Sequence, residues 1–62
     1  MIICKSMNLD HLAERMGTGA SIADAEKMRD LLVDYAEDNP GVTHTNDLTE
    51  SQWLELLEKA VA

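Results

Sequence analysis

The fold is decided by residues 21–38, which read SIADAEKMRDLLVDYAED. Ser21 is a favourable helix N-cap, and Asp24 stands where a capping box places its acidic partner. With about 100° of rotation per residue, the apolar side chains of this segment fill an arc of about 200°. They are Leu31, Tyr35, Met28, Leu32, Ala25, Ala36, Ile22 and Val33. So wide an arc predicts a central helix contacted from two sides, or one that leaves a flank for a partner.

The opposite arc of the same helix concentrates carboxylates. It holds Glu26, Asp30, Asp34, Glu37 and Asp38, with Lys27 as the only base among them. Like charges one helical turn apart cost about 0.2–0.5 kcal/mol per pair. Acids near the negative C-terminal end of the helix dipole cost about 0.3–1 kcal/mol each. Because local stability would favour lysines here, we predict that these five acids bind a basic partner. A solvated face that keeps the protein soluble is the alternative.

Two shorter helices flank this segment. Residues 8–16 follow helical spacing behind an N-cap at Asn8 or Ser6, with a stripe of Leu9, Leu12, Ala13 and Met16. Residues 49–61 begin with the capping box Thr49–Gln52 and a hydrophobic staple of Leu48 and Trp53. Their predicted buried stripe comprises Trp53, Leu56, Leu57, Ala60 and Val61, widened by Leu54.

The breaks between the helices are short. Residues 17–19 (GTG) and 39–41 (NPG) stop helices, and residues 42–47 form a connector with room for a single turn. Short connections favour antiparallel neighbours. We therefore predict an all-α fold with one domain over residues 1–62, a small three-helix bundle (four with the short turn). Residues 1–6 show no periodicity and are expected to form an extended N-terminal tail.

Composition narrows the range of functions. The chain has 62 residues with 5 basic and 12 acidic side chains, for a formal charge of −7. That charge disfavours direct contact with nucleic-acid phosphates or anionic lipid and favours a basic partner. No apolar run is long enough to span a bilayer, and residues 1–5 are too short for a signal peptide. We expect a cytoplasmic protein whose single cysteine, Cys4, stays reduced.

The reactive side chains do not form a recognisable constellation. Cys4 lies in the tail, His11 on the polar side of a short helix and His44 in a connector. Catalysis needs such groups to be held in a concave site, and the sequence places no orienting partner beside any of them. His11 and Glu14 share a helix face but point outward, and the glycines at 17–19 lack the lysine of a phosphate loop. We predict no enzyme, no metal site and no cofactor.

Three segments carry a family resemblance: residues 13–17 (AERMG), Met28 with residues 31–32 (LL), and residues 47–56 (DLTESQWLEL). Together they resemble small acidic anti-CRISPR proteins of the type I-E class, which come from phages and mobile elements of Pseudomonas. The resemblance extends over residues 12–59. It implies a stoichiometric inhibitor that binds a type I CRISPR effector (Cascade or its helicase-nuclease) in the host bacterial cytoplasm and blocks interference.

The sequence is also compatible with other functions. The chain could be a small helical interaction module, such as an antitoxin or a host-takeover factor, that binds through Leu31, Tyr35 and Met28. It could also form a homodimer through the same apolar flank. A DNA-binding regulator is disfavoured, because a recognition helix beginning at residues 21–26 (SIADAE) would repel phosphate.

Overall fold

A computed structural model describes residues 1–17 and 19–62 and contains three α-helices and one short 3-10 helix. Helix α1 spans Leu9–Met16, α2 spans Ile22–Asp38 and α3 spans Glu50–Val61, while Thr45–Asp47 forms the 3-10 turn. The predicted all-α three-helix bundle with a short fourth turn is therefore confirmed. The predicted glycine break includes Thr18, which lies outside the described residues. Beside it, Gly17 ends α1 with φ at 116°.

Each α-helix begins immediately after an N-cap that the sequence predicts, and the first is capped by Asn8, not Ser6. The Asn8 side chain accepts a hydrogen bond from the His11 N–H at 3.1 Å. Both bonds of the capping box join Ser21 and Asp24, at 3.1 and 3.2 Å. The box of Thr49 and Gln52 is also complete, at 3.2 and 2.9 Å. Caps of this kind contribute about 1 kcal/mol each, and they fix where the helices start.

The core lies where α2 contacts both α1 and α3. Leu12, Met28 and Leu32 are its largest fully buried side chains. The other buried apolar residues are Met7, Met16, Ala25, Leu56 and Ala60. The wide apolar arc of the second helix is thus explained by contacts from two sides within the chain itself.

Three residues assigned to the apolar stripes are exposed, so that part of the prediction is wrong. Ile22, Leu54 and Val61 are between 48% and 53% exposed. Ile22 is the first residue of α2 and Val61 the last of α3, and side chains at helix ends reach past the neighbouring helix. Leu54 lies roughly 90° from the middle of its stripe, at the margin of the buried face.

The N-terminal segment is held in place by backbone pairing. The Ile3 N–H donates to the Thr43 carbonyl at 3.0 Å, and the Thr45 N–H donates to the Met1 carbonyl at 2.9 Å. An isolated antiparallel bridge joins Ile2 and His44. Residues 1–3 of the predicted extended tail are therefore a fixed, extended part of the surface beside the connector after α2. Residues 4–6 form a turn instead, in which the Met7 N–H donates to the Cys4 carbonyl at 3.3 Å.

The connector is organised by one carboxylate. Asp47 Oδ2 accepts hydrogen bonds from the backbone N–H groups of Thr43 and His44, both at 3.0 Å. These bonds, with that from Thr43 the stronger influence, lower the pKa of the Asp47 carboxyl below its ordinary 3.8. The charged form of Asp47 therefore holds the 3-10 turn to the two residues that precede it, Thr43 and His44. Within the described part of the chain, no helix has the length and apolar character needed to cross a bilayer.

Candidate functional site

The five acids predicted to bind a partner form an exposed strip along α2, which we call the acidic ridge (Glu26, Asp30, Asp34, Glu37 and Asp38). All five residues are exposed. The buried side chains of α2, Ala25, Met28 and Leu32, lie on the opposite arc of the helix. Successive acids at i and i+4 are about 6 Å apart along the helix axis. The ridge is thus a row of carboxylates on a rigid, internally packed element.

Arg29 forms an ion pair with the ridge residue Asp30, which the sequence pattern did not predict. Its Nε and Nη2 atoms both donate to Asp30 Oδ1, at 3.2 and 3.1 Å. The Arg29 side chain is 24% exposed and that of Asp30 is 67% exposed. Helical spacing places consecutive residues about 100° apart, but a long arginine side chain reaches around that angle. Arg29 therefore partly neutralises the charge of Asp30. An exposed ion pair of this kind contributes roughly 0–1 kcal/mol to stability.

The remaining ridge acids lack such a counterion. Among the described residues, the pair of Arg29 and Asp30 is the only ion pair. The last turn of α2, which contains Glu37 and Asp38, carries no basic residue. Since the helix dipole is negative at that end, the negative potential is expected to be strongest near Asp34, Glu37 and Asp38.

A shallow depression runs beside the ridge. Its lining residues are Lys5, Arg29, Asp30, Val33, Asp34 and Glu37. Lys5 and Arg29 place positive charge along the margin next to the N-terminal segment, and the exposed Lys27 lies among the acids in the first half of α2. The second half of the ridge, with Asp34, Glu37 and Asp38, contains no base.

The apolar flank named for the alternative reading is largely occupied by the chain itself. Met28 is completely buried, and Leu31 and Tyr35 are half-buried against the core. Gln52 Nε2 of α3 donates to the Tyr35 hydroxyl oxygen at 2.8 Å. Because α3 packs on this flank, Met28 is not available to a partner, and that assignment is corrected.

A different apolar surface is exposed on the other side of α2, and we call it the aliphatic groove. Its lining residues are Ile2, Ile3, Val33, Ala36, Glu37, Pro40, Val42 and Thr43. Three separate segments contribute to it: the N-terminal segment, the second half of α2 and the turn that follows. Periodicity within one helix could not reveal it, because the pairing of residues 1–3 with residues 43–45 creates it.

The reactive side chains lie apart from the ridge. Cys4 is half-buried with its Sγ atom 3.4 Å from Ser6 Oγ. His44 Nδ1 accepts from the Asn46 N–H at 3.0 Å, and His44 Nε2 lies 2.8 Å from the Met1 amino nitrogen. His11 is exposed on α1. In the described ranges, no group of three or more His, Cys, Asp or Glu side chains is arranged to hold a metal ion.

Comparison of the chain with models of protein families, with curated proteins and with solved structures finds no match. The features of the molecule that bear on its function are therefore the ridge, the groove and the net charge.

Proposed function

We propose that this chain is a stoichiometric inhibitor that docks its acidic ridge onto a basic, nucleic-acid-binding surface of a type I CRISPR effector. The observation that supports this most is the row of exposed carboxylates at the negative end of α2, where charge repulsion and the helix dipole oppose them. Natural sequences retain such locally unfavourable residues most readily where function needs them. The sequence resemblance to type I-E anti-CRISPR proteins supplies the class of partner.

In this proposal the carboxylates occupy positions that nucleic-acid phosphates would otherwise take. A row of acids about 6 Å apart on a rigid helix presents negative charge at regular intervals to arginines and lysines of the effector. Association would be steered by long-range attraction between surfaces of opposite charge. Bound inhibitor would then exclude target DNA or the recruited helicase-nuclease, in the bacterial cytoplasm, without catalysis and without a cofactor.

The test is a charge reversal of the ridge with a matched control. The ridge variant replaces Asp34, Glu37 and Asp38 with Lys, and leaves Asp30 with its arginine. The control variant replaces Glu14, Glu55 and Glu58, three exposed acids on α1 and α3, with Lys. Both variants change the net charge of the protein equally. Circular dichroism and thermal melting establish that each one is folded.

The readouts, at increasing inhibitor concentration, are target-DNA binding by a purified type I-E effector and cleavage of that DNA after the helicase-nuclease is added. We expect the wild type and the control variant to inhibit, and the ridge variant to lose inhibition. Raising the salt concentration should weaken the wild-type inhibitor, because salt screens exposed charges. A ridge variant that inhibits as fully as the wild type would show that the acidic ridge is not the docking surface.

A further inference from the structure

The most exposed large apolar side chain of the described chain lies in the aliphatic groove. Ile2 is 71% exposed, more than Ile22, Leu54 or Val61. Its exposure does not come from a loose segment, since hydrogen bonds at Met1 and Ile3 fix the backbone on both sides of it. Side chains alternate sides along an extended segment. Met1 and Ile3 pack against the core while Ile2 points outward.

The groove and the ridge are continuous. Val33 and Glu37 line both the aliphatic groove and the depression beside the ridge, one turn apart on α2. A partner residue in the groove would therefore sit next to carboxylates. Glu37 lies at the boundary, where it can receive a cation from a partner whose apolar side chain enters the groove.

Resting on the function proposed above, we infer that the aliphatic groove receives an aliphatic side chain that is flanked by arginines or lysines on the same basic partner. The net negative charge of the chain favours a basic occupant over a second copy of the chain. A second copy of this chain would bring its own net charge of −7 against the ridge, which opposes a homodimer on this face. A basic segment that contains a leucine, isoleucine or methionine can bind the acidic ridge with its cations and the aliphatic groove with its apolar side chain. The carboxylates then steer the encounter and the groove slows dissociation.

The first experiment uses two synthetic peptides and isotope-labelled protein in solution NMR. One peptide carries leucines flanked by arginines, and the other has serine at every leucine position. We expect both to shift amide signals along the ridge at low salt. The leucine peptide should also shift Ile2, Val33 and Val42, and should bind about tenfold more tightly.

The outcomes separate this inference from the proposed function. If both peptides bind the ridge with equal affinity and the groove signals stay unchanged, the groove assignment is wrong while ridge docking stands. Leucine-dependent shifts near Leu54 and Val61 in place of the groove would likewise overturn it. If neither peptide perturbs the ridge, both proposals fail.

The second experiment removes apolar surface without changing charge. Replacing Ile2 and Val33 with Ser should weaken inhibition of the type I-E effector about tenfold. The matched control replaces Ile22 and Leu54 with Ser. Both residues are also exposed, and this variant should inhibit like the wild type. Ile2→Ser alone serves if the double variant unfolds. Equal inhibition by both double variants would contradict a role for the groove.

Discussion

At the scale of single residues, Asp47 links the fold to pH. Its carboxylate accepts hydrogen bonds from two backbone N–H groups, and its pKa in the folded protein is lower than the ordinary 3.8. A carboxyl group with a depressed folded pKa stabilises the fold above its unfolded pKa. That contribution is lost as the pH falls through the folded pKa. Asp47 therefore stabilises the connector at neutral pH and stops doing so in acid.

We predict that Asp47→Asn lowers the free energy of unfolding at pH 7, because the amide carries no charge for the two N–H groups. The difference between wild type and variant should close as the pH falls below 3.8. Urea denaturation at a series of pH values measures it. A difference that stays constant down to pH 2 would mean that the carboxylate charge contributes nothing.

At the scale of the helices, the acidic side chains in the last turn of α2 interact unfavourably with the negative end of the helix dipole. Asp38 is exposed at the C-terminal end, one turn after Asp34, and no base lies in that turn. We predict that Asp38→Lys raises the free energy of unfolding by about 0.5–1.5 kcal/mol, through both the dipole and the relieved repulsion.

Asp24 offers the matched control at the opposite end of the same helix. Its carboxylate completes the capping box with Ser21 and lies at the positive end of the dipole. Asp24→Lys should therefore destabilise the protein by about 1 kcal/mol. Chemical denaturation of both variants at low salt provides the comparison. Two changes of the same sign would indicate that overall charge, and not position on the helix, controls stability.

Local sequence signals predicted the helices well and the surfaces between distant segments poorly. Asn8, Ser21 and Thr49 marked the helix starts because capping depends on residues three positions away. The exposure of the ridge followed from its position opposite a wide apolar arc. The aliphatic groove was missed because residues 1–3 and 43–45 meet only in the folded chain. Arg29 was missed because its neighbour Asp30 lies on a different arc.

At the scale of the whole molecule, stability is limited by size. A chain of 62 residues has a core that rarely supplies more than about 3–5 kcal/mol. Replacing one fully buried leucine with alanine costs about 2–5 kcal/mol. We predict that Leu32→Ala unfolds most of the protein at 37 °C.

Leu54→Ala is the control, since Leu54 is exposed and its truncation should change stability by about 0.5 kcal/mol or less. Far-ultraviolet circular dichroism against temperature distinguishes the two variants. Helical signal retained by Leu32→Ala at 37 °C would mean that the bundle holds a larger stability reserve than its core suggests.

The pairing of the N-terminal segment with the connector has a consequence for the order of assembly. It joins residues 40 or more positions apart, whereas α2 contacts helices that adjoin it in sequence. Closing a longer loop costs more chain entropy, so the three-helix bundle should form first and the pairing of residues 1–3 with residues 43–45 last. On warming, that pairing should break before the helices melt. Recognition through Ile2 would then fade at temperatures where the rest of the protein is still intact.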